Sequence, residues 1–163
     1  MLVTALYTTD PEPTPIRLRS ARAQDSIRIG LALRFDVVTS EDRLVLVVED
    51  DQAIRDVMVD VLEEHGFGVV CASNGAEALR HLDRVRPDVM VLDLLMPVMH
   101  GWAFMEAYAD KTDGASIPIV VVSVNPALPR SFDRLGVRQV IAKPFNFDDL
   151  VEAVEHAAKP AAA

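Results

Sequence analysis

Residues 43–51 read RLVLVVEDD, a run of apolar residues followed at once by three acidic ones. The apolar run at 44–48 is nearly continuous and rich in β-branched side chains, which is typical of a central parallel strand covered on both faces. Apolar residues then recur at helical spacing as one stripe: Ile54, Val57, Met58, Val61 and Leu62. A buried strand that runs into charged residues and then into a helix predicts the first unit of an α/β sheet.

The same alternation of strand and helix continues to the end of the chain. We expect further strands at 67–72, 89–92, 117–122 and 137–142. Gly66 should end the first helix and Asn74 can cap the second, and further helices are expected at 102–108 and 148–158. The pattern predicts a doubly wound, five-stranded parallel sheet with helices on both faces.

The fourth helix, between the fourth and fifth strands, is expected to be short or irregular. Pro126 and Pro129 lie in this connection, and proline is poorly tolerated inside a helix. The helix should therefore start near Arg130 or be replaced by a loop.

The length of 163 residues fits one domain with short appendages. We expect an N-terminal extension at 1–42 that is flexible or weakly structured, a domain at 43–158, and a tail at 159–163. The extension contains Pro11, Pro13 and Pro15 but no recognisable motif, and it is too short for an ordinary DNA-binding domain.

Composition excludes several classes of function. The net charge of -9 argues against unaided nucleic-acid binding, which needs clustered basic residues. A single cysteine, Cys71, permits no intrachain disulfide, and we expect it to be a small buried residue in a strand. No apolar run reaches the roughly 18 residues of a membrane span, and the start lacks the order of a secretory signal, so we expect a cytoplasmic protein.

Polar groups follow four of the predicted strands, at the carboxyl ends where sites form in such sheets. They are Glu49, Asp50 and Asp51 after the first strand, Asp93 after the third, Ser123 after the fourth and Lys143 after the fifth. Converging carboxylates repel unless a cation or proton offsets their charge, and Mg²⁺ prefers such oxygen ligands. A carboxylate can also attack phosphorus to give an aspartyl phosphate, with a lysine and a hydroxyl stabilising the transferred group.

Together these segments resemble the response-regulator receiver family of two-component signalling. The matching stretches are LVVEDD at 46–51, VLDLLMPVMHG at 91–101, VVS at 121–123 and AKPF at 142–145. The resemblance covers roughly 43–158 and implies a flavodoxin-like fold with strand order 2-1-3-4-5. It also implies a stand-alone, single-domain response regulator.

The resemblance implies a metal site for Mg²⁺, with Mn²⁺ as a substitute. Asp50 would be a direct ligand, Glu49 would support the ion through water, and Asp93 and the backbone carbonyl of Leu95 would complete the protein's share. Asp51 is expected to be an ordinary surface residue at the helix start.

The same resemblance implies the roles of the remaining residues. Asp93 would be the phosphoacceptor, Ser123 would move towards the phosphoryl oxygens, and Lys143 would pair first with the carboxylate and then with the phosphate. The Lys143–Pro144 bond is expected to be cis. The donor would be a phosphohistidine on a sensor histidine kinase or a histidine phosphotransfer protein. The domain would turn over no metabolite and would catalyse only its own phosphorylation and dephosphorylation.

Three departures from the family pattern concern the output. Val140 replaces the usual switch tyrosine or phenylalanine, so the usual movement of an aromatic ring has no counterpart. The connection from Ser123 to Gly136 is about two residues shorter than usual, which predicts an unconventional output surface. Val124 replaces a small residue after Ser123 and should alter the lifetime of the phosphate, with a sign that sequence leaves open.

Other functions remain open at this level. A pseudo-receiver would use the same fold as a protein-binding module without phosphorylation. A phosphohydrolase would need a second acid two residues after Asp93, where Leu95 stands, and a flavin carrier would need a phosphate loop after the first strand.

The downstream partner is unknown, and the protein should be a monomer or homodimer. We expect all four histidines to lie at the surface: His65, His81, His100 and His156.

Overall fold

Strands and helices alternate along the chain in the computed structural model, which describes residues 43–111, 117–125 and 135–159. The strands are β1 (Leu44–Val48), β2 (Gly68–Ala72), β3 (Val89–Asp93), β4 (Ile119–Ser123) and β5 (Val137–Ala142). The helices are α1 (Gln52–Glu64), α2 (Gly75–Leu82), α3 (Gly101–Lys111) and α4 (Phe147–Ala157).

The five strands form one parallel sheet in the order β2-β1-β3-β4-β5. This order and the α/β alternation confirm the predicted fold class. The strand order changes direction around β1 and β3, so the carboxyl ends of these two central strands lie side by side at the edge where a site is expected.

Helices cover both faces of the sheet, as predicted. Alternate residues of each strand point to opposite faces, so Val45 and Val47 join one buried cluster with α1 and α4, while Leu46 and Val48 join the other with α2 and α3. Both faces of β1 are therefore buried, which explains its nearly continuous apolar sequence.

Helix α1 begins and ends on clear local signals. The Asp51 carboxylate accepts hydrogen bonds from the backbone N–H groups of Ala53 and Ile54, at 2.8 and 3.1 Å, so this residue is the N-cap. The chain leaves the helix through Gly66, which has a φ of +86° that glycine adopts without strain.

The predicted apolar stripe of α1 was wrong at one position. Val57 is 41% exposed, and Val59 is buried instead, together with Met58 and Leu62. The buried face is centred between these residues, because α1 packs against both β2 and α4. An apolar residue at the margin of the face therefore remains accessible to solvent.

The surface position predicted for the histidines was wrong for His81. This residue is 7% exposed and lies one helical turn after Glu77, which is buried as well. Asn74 caps α2 by accepting the N–H of Glu77 at 3.0 Å, as predicted. His65, His100 and His156 are exposed.

Several predictions fall outside the described residues. These are the extension at 1–42, most of the tail at 159–163, and the fourth helix expected near Arg130. Within the described ranges, no helix combines the length and the apolar character that crossing a membrane requires.

Candidate functional site

Four strands bring their terminal polar residues to one edge of the sheet. Asp93 and Ser123 are the last residues of β3 and β4, and Glu49 and Lys143 directly follow β1 and β5. Glu49, Asp93 and Ser123 are buried, although they are polar. Buried polar groups are costly unless they are paired, so their partners define the site.

One ammonium group joins two of the carboxylates. Lys143 Nζ lies 2.6 Å from Asp93 Oδ2 and 2.9 Å from Glu49 Oε2. Burial alone would lower the pKa of Lys143, but the hydrogen bonds and negative charges of Asp93 and Glu49 outweigh it and raise the pKa. Lys143 is therefore a firmly charged partner for both acids.

For Glu49, burial disfavours the negatively charged form of the carboxyl. Burial raises the pKa of its carboxyl, helped by the charge of Asp93 and opposed by Lys143. A further positive charge near Glu49 would favour the ionised form.

Glu49, Asp50 and Asp93 offer carboxylate oxygens that lie within 4.8 Å of one another. These hard oxygen donors and their spacing fit Mg²⁺, which takes one or two carboxylates and keeps several waters. Asp50 is exposed, while the other two are buried, so the site opens to solvent on the side of Asp50. The backbone carbonyl of Leu95 as a further ligand stays a prediction.

The loop after Asp93 contacts both the side chain and the backbone of this residue. The N–H of Leu95 donates to Asp93 Oδ1 at 2.9 Å, so both oxygens of Asp93 have partners. A Cβ on Gly101 would lie 2.6 Å from the carbonyl oxygen of Asp93, which restricts this position to glycine. His100 directly precedes α3, and its Nδ1 accepts the N–H of Ala103 in the first turn of the helix at 3.2 Å.

Ser123 lies at the same edge, and its side chain is hydrogen-bonded to the turn that follows β4. Its Oγ accepts the N–H of Asn125 at 3.1 Å, and its carbonyl accepts the N–H of Lys143 at 2.9 Å. The Lys143–Pro144 bond is cis, the isomer that the resemblance implies.

The two unusual valines occupy different environments. Val140 is half-buried and packs against the cluster under α2 and α3. Val124 is 61% exposed and lines a groove of about 370 Å³ beside the site. The other residues lining this groove are Ile54, Lys143, Pro144, Phe145 and Phe147.

Sequence reasoning missed Arg55, on the first turn of α1. Its Nη1 donates to the carbonyl oxygens of Glu49 and Asp50, at 2.6 and 3.2 Å. The available signal was its spacing, four residues after the N-cap Asp51, which returns a long side chain towards the preceding turn.

Comparisons with known proteins agree with this geometry. The family model described as "Response regulator receiver domain" matches residues 45–155. The chain is 31% identical over 116 residues to the chemotaxis protein CheY of Listeria monocytogenes, an alignment that covers 71% of this chain and 98% of that protein.

Two solved structures are similar in fold. One is the response regulator protein TrrA of Thermotoga maritima in complex with Mg²⁺ and BeF, with a TM-score of 0.61, 28% identity, and coverage of 71% of this chain and 98% of that one. The other is the receiver domain of a sensor histidine kinase from Pseudomonas aeruginosa with a magnesium ion in its active-site cleft, with a TM-score of 0.63, 25% identity, and coverage of 72% and 98%. From its sheet order, its strand-end residues and these matches, the chain belongs to the response regulator receiver domain family.

Proposed function

We propose that this protein accepts a phosphoryl group on Asp93 in a Mg²⁺-dependent reaction and signals through the phosphorylated form. The main observation behind this proposal is the 2.6 Å ion pair between Lys143 Nζ and Asp93 Oδ2. The carboxylates of Glu49 and Asp50 lie beside it. These contacts support the proposal, because a carboxylate that can attack phosphorus lies beside a fixed positive charge and beside further carboxylates that could hold a metal.

The proposed step transfers the phosphoryl group from a histidine nitrogen to a carboxylate oxygen of Asp93. The new bond is O–P, the broken bond is N–P, and the histidine nitrogen leaves with its electron pair. Lys143 then offsets charge on the phosphoryl oxygens, and Ser123 donates its hydroxyl hydrogen to one of them.

The metal would be held by Asp50, Asp93, the carbonyl of Leu95, and Glu49 through water. Mg²⁺, or Mn²⁺ in its place, supplies positive charge that offsets the negative charge of the transferring group. The raised pKa of Glu49 supports this assignment, because a nearby cation would stabilise the ionised carboxyl.

The proposed donor is a phosphohistidine on a sensor histidine kinase or a histidine phosphotransfer protein. The apolar groove beside Lys143 supports a protein donor, since exposed apolar surface at a site favours docking of another protein. Leu95 and Val98, 61% and 86% exposed, are further apolar side chains that the loop after Asp93 presents to solvent.

The output would be a change in partner binding. A phosphoryl group adds roughly two negative charges and strong hydrogen-bond acceptors, enough to bias a loop between two states. In this proposal residues 43–158 form the receiver, flanked by an extension at 1–42 and a tail at 159–163. The protein would work in the cytoplasm as a monomer or homodimer and would bind no nucleic acid directly. It would perform no catalysis beyond its own phosphorylation and dephosphorylation.

Incubation of the protein with Mg²⁺ and acetyl phosphate, or with a phosphorylated kinase, tests the proposal by intact mass. We expect a gain of one phosphoryl group that is absent in Asp93→Asn. Asp56→Asn, at an exposed aspartate on α1, is the matched control and should be phosphorylated normally. No gain with any donor would favour the alternative, a pseudo-receiver that binds a partner without phosphorylation.

A further inference from the structure

Arg55 connects the first turn of α1 to the turn that carries two of the carboxylates. Its backbone N–H donates to the carbonyl of Asp51 at 2.9 Å, in regular helical geometry. Its side chain is half-buried, and Nη1 reaches back to the carbonyl oxygens of Glu49 and Asp50. The 2.6 Å bond to Glu49 is short, as charge-assisted hydrogen bonds are.

These two carbonyl groups flank one Cα atom. The carbonyl of Glu49 belongs to the peptide plane before the Cα of Asp50, and the carbonyl of Asp50 belongs to the plane after it. Because the backbone has only two soft dihedrals per residue, holding both planes to one nitrogen fixes φ and ψ of Asp50. The direction of its Cα–Cβ bond is thereby fixed as well.

The Asp50 carboxylate depends on this backbone support. Within the described part of the chain, the carboxylates of Glu49 and Asp93 are held by Lys143, whereas that of Asp50 is exposed and makes no hydrogen bond or ion pair. Its oxygen nevertheless lies within 4.8 Å of oxygens of the other two. Its place in the cluster therefore follows from the backbone that Arg55 holds.

We propose that Arg55 is a positioning residue for the metal site, which fixes the turn at Asp50 so that its carboxylate faces Glu49 and Asp93. This inference rests on the metal site of the proposed function. The guanidinium charge alone would oppose a cation nearby, so an electrostatic role and a positioning role predict opposite effects of removing Arg55 on metal affinity.

Titration of the full chain with Mn²⁺ tests this inference, with free Mn²⁺ followed by electron paramagnetic resonance and Mg²⁺ binding by calorimetry. We expect Arg55→Ala to weaken binding on the order of tenfold, as for other groups that orient metal ligands. Arg55→Lys, which keeps the charge and a donor, should recover part of the affinity. Arg80→Ala, at an exposed arginine on α2, removes the same charge elsewhere and should bind like the wild type.

A second readout needs no metal. The N–H of Asp51 donates to Glu49 Oε1 at 3.3 Å, and its hydrogen exchange in the metal-free protein should be faster in Arg55→Ala. Arg55→Lys serves for both measurements if the alanine variant does not fold. In that case Lys should give weaker binding and faster exchange than the wild type.

The outcomes are distinct. Unchanged or tighter Mn²⁺ binding in a folded Arg55 variant overturns the positioning role while leaving the proposed function intact, and so does equal weakening in Arg80→Ala. A wild-type protein that binds no Mn²⁺ or Mg²⁺ overturns the metal site of the proposed function, and the inference falls with it.

Discussion

Lys143 and Asp93 lie 50 positions apart in the chain, yet Nζ of the one is 2.6 Å from Oδ2 of the other. The same ammonium group also binds Glu49, and Asp50 completes the acidic cluster. Three carboxylates and one ammonium group leave two negative charges when all are ionised, which a divalent cation can balance. The ion pair thus prepares a site that favours a divalent cation.

Removal of the ammonium group should destabilise the metal-free fold. In Lys143→Met, Glu49 and Asp93 would remain buried, with side chains only 2% and 6% exposed and no cationic partner. Breaking a buried ion pair in this way costs about 3 kcal/mol or more. Urea denaturation without metal should show this loss in the free energy of unfolding.

Two controls separate charge from packing in this variant. Adding Asp93→Asn to Lys143→Met should restore part of the stability, because one unpaired buried charge is removed. Mg²⁺ should stabilise Lys143→Met more than it stabilises the wild type, since the ion replaces the lost positive charge. Equal stability of wild type and Lys143→Met without metal would contradict the prediction.

The raised pKa of Glu49 predicts a pH dependence with a definite sign. Because the folded pKa lies above the ordinary value of 4.5, the contribution of Glu49 to stability is present below that value and is lost as pH rises through the folded pKa. Glutamine resembles the protonated carboxyl and does not titrate. We therefore expect the metal-free stability of Glu49→Gln, relative to wild type, to increase from acidic pH towards neutrality.

Urea midpoints over this pH range, without metal, measure the difference. Glu152→Gln, at an exposed glutamate on α4, should run parallel to the wild type. A Glu49→Gln curve that also runs parallel to the wild type, or a stability of Glu49→Gln relative to the wild type that falls as pH rises, would show that burial does not penalise this charge.

The fold and the strand-end residues were predictable because both follow from simple rules. Buried parallel strands have continuous apolar sequences, so β1 was predicted with the bounds that the structure shows. The carboxyl ends of parallel strands share one edge, so Glu49, Asp93 and Lys143 could be placed together before any distance was known.

What sequence did not predict depends on side-chain packing. The contacts of Arg55 depend on how a long, flexible side chain folds back, which spacing suggests but does not determine. The burial of His81 depends on how α2 lies against α3 and the sheet, because a polar residue on a helix is usually at the surface. The exposure of Val57 likewise follows from the exact rotation of α1 about its axis.

Val98 should be a site where glycine stabilises the protein. It is 86% exposed and has a φ of +67°, in the left-handed region that β-branched residues rarely adopt. The strain costs about 1–2 kcal/mol, and glycine loses about 0.5–1 kcal/mol of that gain through the entropy of the unfolded chain. Val98→Gly should therefore raise the free energy of unfolding by up to about 1.5 kcal/mol.

Asparagine at the same position provides an independent check. It tolerates left-handed backbone but does not loosen the unfolded chain as glycine does, so Val98→Asn should also stabilise in urea denaturation. Val57→Gly, at an exposed valine inside α1, should instead destabilise, because glycine weakens helix interiors. If both Val98 variants unfold more readily than wild type, the loop is not strained at this residue.

Val124 should lengthen the lifetime of the phosphorylated form. It directly follows Ser123, is 61% exposed and lines the groove that contains Lys143. We therefore expect its methyl groups to hinder the approach of water to the proposed phosphoryl group. Val124→Ala should open this approach to water and speed the loss of the phosphoryl group, followed by intact mass after donor removal. Val57→Ala, also at an exposed valine, should decay like the wild type. Equal decay in Val124→Ala would mean that water reaches the phosphoryl group by another side, past Asp50, where the site is open to solvent.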